Sequence, residues 1–275
     1  MSTSKNLFKS AFSGKITWVT GAGSGIGRAL CQGLLEAGAT VIASDVRPES
    51  LDQLAAADSD RLQRKVFDVA DAQAFADAAK EIVARWGRID FLFNNAGIGV
   101  GGRADSIPAP SWRQMFEVNV FGVINGIQAV YAEMIARGSG HIINLGSVAG
   151  LVPLPAEVPY SASKHAVVGM SRSLALESRR YGVRVTTVCP GKIETPMYDR
   201  SPIYGLNRAA LLKRIPRGVS AEECADEILS AVAQGKEIVI VTKLARFLHA
   251  LHRYAPRVSL YLLRRYYDKI HQEAA

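Results

Sequence analysis

The chain has 275 residues, 48% apolar and 21% charged, with 24 glycines that follow no collagen-like period. That length suits one large α/β domain or two small ones, and the composition is globular rather than fibrous. The formal charge of +8 could suggest nucleic acid or a membrane surface, and most of it lies in the C-terminal tail rather than in the body.

Met1 to Lys15 is polar and lacks the apolar core of a secretory signal. Cys31, Cys189 and Cys224 match no metal or disulfide spacing, so no metal site is expected. Cys31 and Cys189 sit in apolar stretches and read as small core residues. An odd cysteine count without a signal peptide points to the cytoplasm. No apolar run approaches the roughly 20 residues of a membrane span, which leaves a soluble protein or one lying on a membrane surface.

Lys15 to Thr20 is a short β-rich run that leads into Gly21-Ala22-Gly23-Ser24-Gly25-Ile26-Gly27. Ala29, Leu30, Leu34 and Leu35 then recur at helical spacing, and Gly38 stops the helix. Strand, glycine turn and helix open a nucleotide-binding βαβ unit, in which backbone amides at the helix N-terminus face a pyrophosphate. The spacing departs from G-x-G-x-x-G because Ile26 stands at the required position; the pattern here is Thr20-Gly21-x-x-x-Gly25-x-Gly27. The strand from Thr40 ends on Asp45, an acid placed to accept from a ribose 2′-hydroxyl and to repel the extra phosphate of NADP. Arg47 keeps NADP as the minority reading, and a helix cap before Pro48 is the ordinary alternative for Asp45.

A helix is expected from Glu49 to Ala57, then a strand near Lys65 to Phe67 that ends in Asp68-Val69. Asp71 caps a helix running to Arg85 and Gly87 closes it. A strand at Ile89 to Phe93 leads into Asn94-Asn95-Ala96-Gly97. Ser111 to Gln114 fits a capping box for a helix to Arg137 that holds Asn119 in apolar surroundings. A strand from His141 to Leu145 precedes Gly146-Ser147, and an apolar loop leads to the helix of Tyr160-Ser161-Ala162-Ser163-Lys164. Residues four apart share a helix face, so Tyr160 presents its phenol beside the Lys164 ammonium. A nearby cation stabilises a phenolate and brings it toward use in proton transfer. Ala162, Ala166, Gly169 and Ser173 give that helix a small-residue side for close approach of a cofactor or a partner helix. Val183 to Cys189 ends in Pro190-Gly191, a loop over about 192–215 includes Ile193, Thr195, Met197 and Tyr198, Ser220 and Glu223 cap the last core helix, and Glu237 to Val241 is a seventh strand. Strands and helices alternate without a long linker, which argues for a single Rossmann-type doubly wound parallel sheet over residues 1–241, with helices on both faces. Ligands in such sheets sit at the carboxyl ends of strands, where every segment singled out here lies.

From Thr242 to Ala275 seven bases meet two acids, a net charge of +5 that leaves +3 for the body. Leu244, Phe247, Leu248 and Leu251, then Val258, Tyr261 and Leu262, mark apolar faces on either side of Pro256. This basic amphipathic extension reads either as a segment on anionic lipid or as a helix pair packed on the body or another subunit. No nucleic-acid recognition motif accompanies the charge.

With those residues in order, the chain resembles the short-chain dehydrogenase/reductase family from residue 14 to about 241. The matching pieces are the glycine turn, Asp68-Val69, Asn94-Asn95-Ala96-Gly97, Asn119, Ser147, Tyr160-x-x-x-Lys164 and Pro190-Gly191. The resemblance implies Tyr160 as general acid/base and Lys164 as the cation that binds a nicotinamide ribose and lowers the phenol pKa. Ser147 would orient the reacting oxygen, and Asn119 would hold a water linking Lys164 to solvent. It further implies that Gly21, Ser24, Gly25, Ile26, Gly27, Asp45, Asp68, Val69, Asn95, Ala96, Gly97, Pro190, Gly191, Ile193 and Thr195 line NAD together with Tyr160 and Lys164. The expected pocket is Ser147, Leu151, Val158, Tyr160, Met197 and Tyr198, in loops with Val152, Leu154, Ile203 and Tyr204 and few charges. That favours a hydrophobic alcohol or carbonyl of the steroid, retinoid or long-chain type. The alternatives are an NADP(H)-dependent carbonyl reductase and a non-catalytic NAD-binding sensor or scaffold. The long helices at 111–137 and 160–181 would pair subunits as in relatives, giving a homodimer or homotetramer.

Overall fold

Trp18 and Val19 are adjacent, both fully buried, and belong to opposite faces of one sheet. Side chains alternate across a strand, so a strand covered on both faces must be apolar at every position. All five residues of β1 (Ile16–Thr20) are buried accordingly. In the computed structural model, which describes residues 8–54, 59–214 and 217–274, β1 is joined by β2 (Thr40–Asp45), β3 (Leu62–Val66), β4 (Phe91–Asn94), β5 (Gly140–Leu145), β6 (Val183–Pro190) and β7 (Ile238–Val241). These form one seven-stranded sheet in the order 3-2-1-4-5-6-7, with every pairing parallel. The register carries the alternation across the sheet. Trp18 pairs with Ile42 and Leu92, and Leu92 with Ile142; Val19 pairs with Ala43 and Phe93, and Phe93 with Ile143.

The first row packs on α2 (Ala72–Trp86), α3 (Ala109–Arg137) and α4 (Val158–Ser178) through Phe75, Ile82, Val130, Met134 and Ala175. The second row packs on α1 (Gly25–Glu36) and α5 (Ala221–Ala233) through Leu30, Leu34, Ile228, Leu229 and Val232. The fold is therefore the expected doubly wound Rossmann type, and the strand order reverses between β1 and β4. Their carboxyl ends open a crevice there.

Several local expectations hold at the level of single hydrogen bonds. Asp71 accepts from Ala74 N, Gly87 closes α2 in the left-handed region at φ 77°, and Ser220 and Glu223 form both bonds of a capping box. Others are corrected. Ser111 does not cap α3: the helix opens at Ala109 after Pro108, because Pro110 fits a first turn, where no intrahelical N–H is needed. The Ser111 hydroxyl bonds Tyr204 OH instead, at 3.2 Å. β3 begins at Leu62, earlier than expected, since an edge strand with Arg64 and Lys65 carries little apolar signal. The helix after Asp45 spans Pro48–Asp52 and its expected end at Ala57 lies outside the described residues, as does Ile215 at the end of the substrate loop. Asp45 caps nothing there, for the N-cap position is Arg47. By length and composition α3 could cross a membrane, contrary to the sequence reading, but it packs against the sheet through Val130 and Met134, and Met115 and Val123 are buried as well.

Two helices continue beyond β7, namely α6 (Lys243–Tyr254) and α7 (Pro256–Ala274). Thr242, in the left-handed region at φ 83°, caps α6 by accepting from Ala245 N. It packs on Gly191, where a Cβ would meet its Oγ1 at 2.5 Å. α7 returns along α6 and packs on the short helix Arg208–Arg214. The tail is a helix pair folded onto the body, as one of the two sequence readings had it.

His141 lies between β4 and β6, 1% exposed. Thr186 Oγ1 donates to Lys236 O and so accepts from His141 Nε2, leaving Nδ1 as the bare nitrogen without a partner. Burial, with Arg184 adding, pushes the imidazole pKa down from 6.5 to about 3. An unfolded chain would bind a proton through that window while the folded one does not, so stability falls as pH drops from 6.5 toward 3. Urea midpoints measured across that range should fall for the wild type and fall less for His141→Gln; parallel slopes would contradict this.

Candidate active site

The glycine turn forms because β1 must reverse tightly into α1. Gly21 and Gly25 have positive φ, 64° and 52°, and a Cβ at Gly25 would lie 2.9 Å from Thr195 Cγ2. A Cβ at Gly27 would collide with Gly21 O, so that glycine serves helix-to-strand packing. Asn95 fastens the turn from β4, donating through Nδ2 to Thr20 O at 2.9 Å and Gly21 O at 3.2 Å. The first amides of α1 then face a cavity of about 950 Å³ that borders Gly21, Ser24, Gly25 and Ile26. No acid stands in the first turn of α1, so the positive end of the helix is free for an anion.

The cavity continues past Asp45, Asp68 and Val69, then Asn95, Ala96 and Gly97, and past Pro190, Gly191, Ile193 and Thr195. Asp45 is 7% exposed; its Oδ2 accepts from Gly23 N at 3.0 Å and its Oδ1 from Arg47 N at 3.1 Å. Arg47 Nε also turns back to Oδ1, at 3.4 Å. Among the predicted cofactor residues only Gly27 is absent from the cavity wall. A long cleft with a glycine cradle, a helix N-terminus and a carboxylate at the second strand fits a dinucleotide.

Beyond Gly97 lie the four polar residues expected to do chemistry. Lys164 is 4% exposed and donates through Nζ to Leu145 O, the last residue of β5, at 2.8 Å. Burial pushes its pKa down to about 8. Nζ lies 5.7 Å from the centre of the Tyr160 ring. Ser147, 7% exposed, accepts at its Oγ from Ala149 N at 3.1 Å and lines the cavity together with Tyr160. Asn119 is fully buried in an i→i+5 turn of α3, Glu117–Phe121, a bulge often found at functional sites. Its Oδ1 accepts from Ile98 N at 2.8 Å, while Nδ2 donates to Ile98 O at 3.0 Å and Ser163 Oγ at 3.1 Å. Both amide N–H groups are thus engaged by the loop after β4 and by α4. A Cβ at Gly97 would meet both Asn119 Oδ1 and Lys164 Nζ.

Burial pushes the Tyr160 phenol up from its ordinary value of 10.0, Glu157 adds to the rise, and the Ser147 hydrogen bond opposes it. Glu157, unnoticed in the sequence, ends the loop before α4 and lines the cavity. Burial raises its carboxyl to about 7, with Lys192 opposing. Lys192 Nζ sits 3.1 Å above the Tyr198 ring, and burial with Tyr160 and Glu157 nearby raises that phenol too. Lys192 and Arg200 join Glu157 in the wall, so the pocket is not poor in charges.

Of the predicted substrate residues, Ser147, Tyr160, Met197 and Tyr198 line the cavity. Leu151 and Val158 do not. Leu151 packs beside Val148, Val152 and Ala245, and Val158, 42% exposed, points outward. Leu154 and Tyr204 line it, whereas Ile203 does not. Their place is taken by the tail, through Leu244, Phe247, Leu248, Leu251, Leu262 and Leu263. The loop holding Met197 and Tyr198 is tied by Arg208, whose guanidinium donates to Tyr198 O, Asp199 O and Ser201 O at 2.6–2.7 Å. The small residues Ala162, Gly169 and Ser173 of α4 are exposed and line no part of the cavity, so they serve no cofactor.

A family model described as short chain dehydrogenase matches residues 15–202. The chain is 38% identical over 222 residues to a 3-oxoacyl-[acyl-carrier-protein] reductase of Thermotoga maritima, across 78% of this chain and 89% of the relative. It matches the structure of a short-chain dehydrogenase/reductase from Burkholderia phymatum in complex with NAD, with TM-score 0.81 and 28% identity over 90% of this chain and 95% of the other. A short-chain dehydrogenase from Burkholderia cenocepacia in complex with NADP gives TM-score 0.78 and 28% identity over 92% and 98%. The chain belongs to the short-chain dehydrogenase family. It is an oxidoreductase of that family, acting on alcohol and ketone substrates, whose structural neighbours bind NAD or NADP.

Between pH 4.5 and about 7 folded Glu157 keeps a proton that the unfolded chain has lost, so its burial lowers stability as pH rises through that window. Glu157→Gln should raise the thermal midpoint at pH 8, and the gain should shrink on acidification and vanish below pH 4.5. A gain of equal size at every pH would show that its cause is not the charge.

Proposed function

We propose that the protein interconverts a secondary alcohol and a carbonyl on an apolar substrate with NAD(H) as cofactor. The observation that carries this reading is the convergence of Ser147, Tyr160 and Lys164 at the far end of a cleft that begins at the glycine turn. The nicotinamide, when bound, supplies or accepts the hydride. Tyr160 is the general acid/base: its O–H breaks as the proton passes to a carbonyl oxygen, or forms as an alcohol loses its proton. The raised pKa keeps the phenol protonated at neutral pH in the free protein, the form needed for donation. Ser147 orients the reacting oxygen beside that phenol. Lys164 spends one donor on Leu145 O and keeps two N–H groups for a ribose hydroxyl on the cavity side. Asn119 is a positioning residue that clamps Ile98 to Ser163, one residue before Lys164.

Preference for NAD is supported by Asp45, a buried carboxylate at the end of β2 with Arg47 folded back on it. An apolar substrate is supported by Leu154, Met197 and the leucines of α6 and α7 in the wall. Subunit pairing is supported by the outward face of α4, where Gly169 has open space beyond its Cα and Leu176 is 76% exposed.

Tyr160→Phe should lower turnover of a secondary alcohol by about 10²–10⁴-fold or more while NADH binding, followed by fluorescence, changes little. Turnover at the wild-type level would remove the assigned role. In the same titration the wild type should bind NADH at least about tenfold more tightly than NADPH, and Asp45→Ser should narrow the gap. Tighter binding of NADPH by the wild type would reverse the cofactor assignment.

A further inference from the structure

We propose that the outer face of α6 and α7 docks on an anionic lipid surface, with the cavity opening onto that surface. The inner side of the pair is fixed to the body: Ala245, Ser259 and Ile270 are buried, and Arg246 bonds both Ile240 O and Glu227. The outer side carries large apolar groups in water, with Phe247 60%, Val258 51%, Tyr261 57% and Leu262 49% exposed. Bulky residues left exposed on a well-packed pair mark an interaction surface.

Charge selects the occupant. Lys243, Arg253, Arg257, Arg264 and Lys269 are exposed beside these residues, and Asp268 is the exposed acid among the described tail residues. A second copy of the chain would bring the same positive face against this one. Anionic headgroups offer the opposite sign, and the apolar groups between the bases suit the boundary below them. Leu244, Phe247 and Leu262 are at once exposed and part of the cavity wall, so the cavity reaches this face. An apolar substrate held in the lipid would then enter without crossing water. Docking stands on the tail alone; entry of substrate rests on the proposed reading of the cavity.

The test uses the full chain and vesicles of phosphatidylcholine, with and without phosphatidylserine, followed by co-sedimentation. Binding is expected only to the anionic vesicles and should weaken as salt rises. Arg257→Glu with Arg264→Glu should reduce it by about fivefold or more per base, and Val258→Gln with Tyr261→Gln should abolish it. Neither pair lines the cavity, so both variants should turn over a short water-soluble alcohol at the wild-type rate, which also reports folding. Anionic vesicles should speed oxidation of a membrane-resident long-chain alcohol by the wild type and not by the variants. No vesicle binding, equal binding to neutral lipid, or binding unmoved by the variants would overturn docking. A concentration-dependent dimer lost in Val258→Gln/Tyr261→Gln, without vesicle binding, would assign the face to a second copy and overturn it as well. Failure of the soluble alcohol in wild type would count against the catalytic reading alone.

Discussion

A lysine ammonium 4% exposed at the floor of a cleft must be held by something, and much of this structure is arranged around holding it. Lys164 finds the carbonyl of Leu145, the last residue of a central parallel strand. That carbonyl is available only because β5 ends there and the chain turns into Gly146-Ser147. The i→i+5 turn of α3 brings Asn119 to Ile98 and Ser163 on either side of the lysine. A Cβ at Gly97 would crowd Asn119 Oδ1 at 3.2 Å and would touch Lys164 Nζ at 3.6 Å. Sheet, bulge and glycine thus serve one buried cation.

The same burial governs the proton chemistry. Tyr160 and Tyr198 are raised, Lys164 is lowered, and Glu157 is lifted to about 7, all with desolvation as the largest cause. Each group is thereby pushed toward its neutral form. Glu157 and Lys164 still change charge near neutrality, and Glu157 acts on the phenol directly.

The parts of this site that were legible in the sequence are those written in short patterns. A glycine turn after a strand, an acid at the end of the next strand, and Tyr160 four residues before Lys164 all act through local geometry. Val158 was misplaced because residues two apart on a helix point about 200° apart, so a residue two before Tyr160 faces away from it. Leu151 was drawn off to Ala245 of a tail whose return over the cleft no local pattern announces. Glu157 and Lys192 meet only through the fold, 35 positions apart in the chain. The bulge at Asn119 left no mark in composition, since Val118 and Val120 suit an ordinary helix as well.

The central claim is that burial, with Glu157 adding, raises the phenol of Tyr160 in the free protein. Ultraviolet difference titration of the wild type against Tyr160→Phe isolates that phenolate from the other tyrosines. The account predicts a midpoint above 10 that moves down in Glu157→Gln. A midpoint below 10 in the wild type, unmoved by Glu157→Gln and raised by Lys164→Met, would show that the lysine sets it instead.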